Sequence, residues 1–439
     1  MTRSQLRRAA VAFAFVLGVA NIYFYNYAAL FAAGHPESTV RFNLYGDPQI
    51  EGDAKLKREP TTGKYDLLVN DYYLHHVYTS TISAFQPHYV VTMGDMFSNQ
   101  WVKKDEYYRR IARFKWIAGQ ADKSGAPIAS SRLYMHLAGN HDIGYGDETR
   151  SYHINRYTNN FGPLNQEWTI DLDQHSSQST NGMHRIAIIN AMNLDRTREA
   201  QFRNTTWEFV LKLAAERALG PEIPLVLFLH VPLSKPDGLC ATSPETRHKD
   251  GYVKYQDYLS PATSAYLLHC LAPSLVFNGH DHDGCLSMHQ IERNLEQPVT
   301  LPNSTRTLQK SDDLCRMSLD ELDRYQAEIE TFARKTLTAV AAAATDMSRL
   351  PSSLAMEVTV RSAMGAYGGA AGIFDMAYDR SGTVQPRLST HGRGFTLASR
   401  NKFQYRYREV QFGNHLIIRA LLIIDILSAV LVPAVLLLV

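Results

Sequence analysis

The chain has 439 residues, 45% of them hydrophobic and 20% charged, with a formal net charge of +2. That much apolar material can bury a large core, which excludes a disordered chain. So small a charge, with basic residues scattered rather than striped, excludes a general affinity for nucleic acid.

Taken from the start, Ala9 to Ala33 carries no charged residue and follows Arg3, Arg7 and Arg8. This run is long enough to span a bilayer, with Tyr23, Tyr25 and Tyr27 toward its outer interface. We read residues 9–33 as a transmembrane helix and 1–8 as a cytosolic end. The rival is a cleaved signal peptide with Ala9–Ala20 as its hydrophobic core, but no clean small-x-small site follows it. A folded domain then covers residues 40–410. Val40–Tyr45, His88–Met93, Leu133–Ala138, Leu225–Leu229 and Leu275–Phe277 read as strands, and Tyr65–Phe85 and Lys104–Ala118 as helices between them. Such alternation indicates a layered α/β sandwich.

Residues 235–260 form a polar loop that shapes a substrate entrance. From Ser287 to about Arg316 the chain is polar and turn-rich. Ser318 and Glu321 then form a capping box opening a helix through about Ala344, so residues 286–350 read as an insertion. Glu357–Val360 returns to the sheet. Met364–Gly372 is Gly-rich but lacks the Lys-Ser/Thr of a P-loop, and reads as a turn lining the pocket.

Residues 416–439 end in a second apolar run, Ala420–Val439, interrupted by Asp425; a transmembrane helix is expected, with a buried soluble helix as the rival. Positive charge before the first span places the N-terminus in the cytosol and the folded domain in the lumen. Arg400, Lys402, Arg406 and Arg408 are assigned to that domain's last strand. Two sequons, Asn204-Thr205-Thr206 and Asn303-Ser304-Thr305, and the even set Cys240, Cys270, Cys285 and Cys315 agree with an oxidising lumen. Their pairing is left open, and a disulfide holding the loop at Cys285 is favoured over a metal-ligand role.

Five phrases carry the chemistry: Gly46-Asp47-Pro48-Gln49, Gly94-Asp95, Gly139-Asn140-His141-Asp142, His230, and Gly279-His280-Asp281-His282. They supply carboxylate, amide and imidazole donors for divalent metals. Each follows a hydrophobic run, so side chains distant in sequence converge where strands end. The glycine before the ligand allows a sharp turn and a close backbone approach. One such residue alone would be a cap or turn former. Five in series form the pattern of a two-metal phosphoester-cleaving centre. His75, His76, His88, His136, His153 and His184 read as structural, and His391 as part of a turn.

In these residues the chain resembles the calcineurin-like metallophosphoesterase family, whose pattern reads D-x-H, G-D, G-N-H-D/E, a lone H, then G-H-x-H. The resemblance implies a four-layer β-sandwich flanked by helices. It also implies one metal on Asp47, Asp95 and His282 and a second on Asp95, Asn140, His230 and His280. His141 would stand by the leaving group with Asp142 orienting its ring, and Asn140 would neutralise charge on the phosphoryl group. Gln49 replaces the family's usual histidine. Its carbonyl suits Mn²⁺ or Mg²⁺ better than an iron–zinc pair, so two divalent ions, Mn²⁺ first, are expected.

Gly46–Gly52, Gly279–Cys285, Glu357–Ser362 and Met364–Gly372 resemble more closely a membrane-anchored branch of the secretory pathway. The resemblance implies a phosphodiesterase that removes ethanolamine phosphate from a mannose of the glycosylphosphatidylinositol (GPI) glycan. GPI-anchored proteins or their glycan would be its substrate, in the endoplasmic reticulum or early Golgi membrane. Alternatives are hydrolysis of another lipid or nucleotide phosphoester, or a non-catalytic cargo receptor for GPI-anchored proteins.

Overall fold

The computed structural model describes residues 2–30, 39–172, 182–219, 223–241, 243–341, 354–379, 387–391, 393–399, 402–412 and 415–438. Strand alternation builds its centre. In Thr39–Tyr45, Phe42 and Leu44 face inward; in Leu225–Phe228, Val226 and Phe228 do; in Leu275–Asn278, Leu275 and Phe277 do. These side chains form one core between two seven-stranded sheets. Phe42 and Phe374 from one sheet meet Phe228 and Phe277 from the other, with ring centroids 4.7–6.1 Å apart. Each such buried ring contributes roughly 1.5–3 kcal/mol.

The alternate residues face outward under helices. Tyr45 and Val90 pack beneath Gly63–Phe85 and Lys104–Ile117, and Leu225 and Leu227 beneath Ala200–Leu219. Helix, sheet, sheet, helix is therefore the layer order, as expected. The first sheet contains the parallel set Thr39–Tyr45, Tyr89–Thr92 and Leu133–His136. Its remaining strands, Ala370–Tyr378, Phe403–Gln411, Gly394–Ala398 and Arg387–His391, continue it antiparallel. The second sheet runs parallel through Met183–Ile188, Leu225–Phe228, Leu275–Asn278 and Leu354–Thr359. All five motif phrases follow the carboxyl ends of parallel strands, which is why they meet.

Three expectations need correcting. The helix opened at Ser318 breaks at Tyr325 and ends at Thr336; Leu337–Ala341 is a strand antiparallel to Cys285–Ile291. The turn-rich stretch after Ser287 is largely ordered strand, with Cys285–Ile291 inside the sheet and Asn294–Thr300 paired to Thr307–Lys310. Residues 235–260 contain a hairpin, Thr246–Lys249 with Tyr252–Gln256. Residues 31–33 and 342–350, the side chains of Tyr25 and Tyr27, and that of His391 lie outside the described residues.

The histidines read as structural are so placed. His75 stacks on Trp116 at 4.3 Å, His184 bonds the Tyr405 hydroxyl at 2.8 Å, and His136 bonds Gln120 at 2.7 Å. Disulfides join Cys240 to Cys285 and Cys270 to Cys315. The first ties the loop after His230 to the strand after His282.

At the chain's start, helix Arg3–Leu30 holds an apolar stretch, Arg3–Tyr23, of mean hydropathy 1.4 that is long enough to cross a membrane. The C-terminal helix His415–Leu438 shows a shorter described apolar stretch, Leu422–Leu437. The two helices pack together, and Asn21 Nδ2 donates to Asp425 Oδ1 at 2.8 Å.

Arg41 locks the first sheet to its helix. It is 2% exposed, pairs with Asp375 on the neighbouring strand and donates Nη1 to the Phe85 carbonyl at 2.9 Å. Arg41→Met leaves the Asp375 charge buried, so urea unfolding should show a loss of about 3–5 kcal/mol. The double variant Arg41→Met/Asp375→Leu should recover most of it.

Candidate metal centre

Four of the ten non-glycine residues with positive φ among the described residues lie in the site. Asp47, Gln49, Asp95 and His280 have φ of 30°, 38°, 49° and 71°, in the left-handed region that non-glycine residues avoid. Each such residue stores roughly 1–3 kcal/mol, which the surroundings must hold in place. Ser362 Oγ donates to the Asp47 carbonyl at 2.8 Å, and Gln49 N donates to the Asp95 carbonyl at 2.9 Å.

The glycines are there for space as much as for turning. A Cβ at Gly279 would stand 2.6 Å from Asp47 Oδ1, one at Gly94 would strike the His230 ring, and one at Gly139 would strike the Asp95 carboxylate. In each case the clash is with a donor side chain from another loop. Gly94 also needs its φ of +105°.

The seven expected donor residues come together. Asp95 lies between two groups. On one side Gln49 Nε2 is 3.1 Å from Asp95 Oδ2 and 3.2 Å from His282 Nε2, which lies 3.3 Å from Asp47 Oδ2. On the other, His230 Nε2 is 3.4 Å from Asp95 Oδ1 and 3.2 Å from Asn140 Oδ1. Asp95, His230 and His280 can offer atoms all within 4.8 Å of one another.

Neighbouring carbonyls set the imidazole tautomers. His230 Nδ1 faces the Met93 carbonyl at 2.7 Å, which leaves Nε2 for the site. His280 Nε2 faces the Gln256 carbonyl at 2.9 Å, which leaves Nδ1. Burial, then the neighbouring His230, brings the His280 pKa down to about 4, so the ring is neutral, as a ligand must be. Sequence reading missed Met93 and Gln256 because a backbone carbonyl leaves no side-chain signature.

These residues fit divalent cations on their own chemistry. Asp47 and Asp95 are each 1% exposed, and among the described residues Asp47 Oδ2 has no hydrogen-bond partner, with the His282 ring 3.3 Å away. Among the described residues their ion-pair partners are histidines only. Two buried carboxylates facing imidazoles and amides make a donor set that a divalent cation would stabilise.

Asp142 corrects an expectation. Its Oδ2 accepts from Gly139 N at 2.9 Å and its Oδ1 from Met96 N and Phe97 N at 3.1 and 3.4 Å. It fastens the Asn140 loop to the Asp95 loop instead of orienting His141. Burial, then the Asp95 charge, raises its pKa to about 8. His141 is placed by its own backbone, whose N–H donates to Asp95 Oδ1 at 2.8 Å. Its side chain is 36% exposed, at the mouth of the site, with Nε2 3.8 Å from Asp95 Oδ2.

Glu357 is a support that the sequence showed as a motif without a role. Fully buried, it accepts from Leu233 N at 2.9 Å, Asn278 Nδ2 at 2.7 Å and His289 Nε2 at 2.6 Å, and pairs with Lys235 at 2.9 Å. It thereby fixes the segments carrying His230 and His280. Burial opposes its charge, but Lys235 and then His289 bring the pKa down to about 2. A depressed carboxyl pKa stabilises the fold above its ordinary value of 4.5, and that contribution is lost as pH falls from there toward 2. Glu357→Gln should flatten acid unfolding in that window and weaken metal affinity by roughly 10–100-fold, read by metal titration. Unchanged affinity would contradict the supporting role.

The calcineurin-like phosphoesterase family profile matches residues 42–284, more than half of the chain. The chain is 26% identical over 330 residues to Protein TED1 of Saccharomyces cerevisiae, covering 59% of this chain and 67% of that one. It is 32% identical over 277 residues to an uncharacterized Schizosaccharomyces pombe protein, covering 54% and 61%. It is 26% identical over 300 residues to mouse (Mus musculus) Metallophosphoesterase 1, covering 61% and 69%. The chain thus spans about two thirds of the length of these relatives. With all five motif phrases gathered where the two sheets meet, the chain belongs to the calcineurin-like phosphoesterases, metal-dependent hydrolases of phosphoric esters.

Proposed function

We propose that this chain is a membrane-anchored phosphodiesterase of the secretory pathway, acting on an ethanolamine-phosphate ester of the GPI glycan. The observation that carries the hydrolytic part is the convergence of Asp47, Gln49, Asp95, Asn140, His230, His280 and His282 around two buried carboxylates. The resemblance in Gly46–Gly52, Gly279–Cys285 and Glu357–Ser362 supports the substrate.

When bound, two divalent ions would supply Lewis acidity and an activated water, with Asp95 set to serve both. Gln49 in place of a histidine favours Mn²⁺. Asn140, buried beside His230, offers its amide to the phosphoryl oxygens. His141, exposed enough to meet solvent, gives a proton to the departing alcohol, and the Asp95 contact to its backbone keeps it at the mouth.

Two further observations support a lumenal domain, residues 40–410, between two spans. The disulfides suit an oxidising compartment. Asn21 and Asp425 meet at matching depth, nine residues before Leu30 and ten after His415, roughly 14–15 Å by helical rise. A carboxylate within an apolar helix needs such a partner, and a cleaved N-terminal helix would remove it.

Full-length chain in detergent, supplied with Mn²⁺, should remove one ethanolamine phosphate from a defined GPI glycan, read as a mass loss by mass spectrometry. Hydrolysis of nucleotide or phospholipid esters with the glycan untouched would overturn the substrate assignment. His141→Ala should slow the glycan far more than an aryl phosphodiester, whose leaving group needs no acid. Equal slowing would remove the proton-donor role.

A further inference from the structure

Next to the metal centre lies a cavity that the chemistry above leaves unused. It has a volume of about 360 Å³ and runs from Pro48 and Gln49 to Asp66, Asn70 and Asp71. Size alone places it within the range of small-ligand sites. Gln49 belongs to the metal centre and also lines this space, so the two adjoin.

The walls are built and rigid. Asp66, Asn70 and Tyr73 follow at helical spacing on one face of Gly63–Phe85, while Glu51 and Ala366 line the facing side. Arg113 donates to both oxygens of Asp71 at 2.7 Å. Lys55 stands 3.5 Å from Asp66 and 3.7 Å from Glu51. The Asn70 amide makes no hydrogen bond to the protein among the described residues, so it can both donate and accept. Lys55 is the one cation in the lining; Arg113 and Arg58, from outside it, reach Asp71 and Glu51, so each of these cations is already engaged by a carboxylate. Such a wall offers carboxylate and amide oxygens to hydroxyl or ammonium donors and no unengaged cation to a further anion.

We propose that this cavity is the subsite for the non-anionic, donor-rich arm of the phosphodiester, a sugar or an alkylammonium group. It rests on the hydrolase reading above, because the arm is placed relative to a phosphorus at the metal centre. The helix that forms it also packs against Arg3–Leu30, so the subsite and the apolar N-terminal helix share a structural element.

Three p-nitrophenyl phosphodiesters differing only in their second arm test this: a hexose linked through its primary alcohol, an aminoethyl group and a carboxyethyl group. With the Mn²⁺-loaded full chain, kcat/KM for the hexose and aminoethyl esters should exceed that for the carboxyethyl ester by about 10-fold or more. Comparing the first two distinguishes a sugar pocket from an ammonium pocket. Asn70→Trp, or Ala366→Trp from the exposed opposite wall should the first not fold, should cut that preference to about 3-fold or less, mainly through KM. A carboxyethyl ester hydrolysed as well as the others, or a preference that survives both fillings, would overturn the subsite. No hydrolysis of any of the three would overturn the phosphodiesterase reading, and the subsite with it.

Discussion

Two carboxylates, Asp47 and Asp95, are buried at the meeting edge of two sheets, and among the described residues their ion-pair partners are imidazoles. Much of the surrounding construction serves to hold that buried pair in place. Four left-handed residues, glycines at points where a Cβ would strike a donor, and carbonyls that fix imidazole tautomers all hold donors close together. Held apart, these groups would be ordinary polar side chains. Held together they form a site that cations would stabilise, and that places the function in the geometry and not in any single residue.

The support around the centre is as much a part of it as the donors. Asp142 bonds three backbone amides and joins two ligand loops, while Glu357 with Lys235 and His289 joins two others. The Cys240–Cys285 bridge closes the same arc covalently. These contacts explain why a buried acid occupies an otherwise apolar strand, Leu354–Thr359. Fully satisfied, such a network fixes one arrangement; partly broken, it leaves buried charge without compensation.

The sandwich and the donor set were legible because their signals are local: alternating strands ending in glycine and a metal-binding residue. Gln49 was also legible as the one departure from the family's pattern, and the structure puts its amide beside Asp95 and His282. What escaped is set by distant partners. Leu337-Thr338-Ala339-Val340-Ala341 follows a helix and is rich in alanine, but an open sheet edge at Cys285–Ile291 recruits it as a strand. The Asp142 role depends on amides 45 and 46 residues away. The contact of Asn21 with Asp425 spans 404 residues and has no local signature.

Electron paramagnetic resonance of the full chain loaded with Mn²⁺ tests the central claim most directly, since it reports the separation of bound ions without requiring a substrate. Two ions sharing Asp95 should give the spectrum of an exchange-coupled pair. Signals from isolated, uncoupled Mn²⁺, or none beyond free ion, would contradict a centre in which one carboxylate serves both metals.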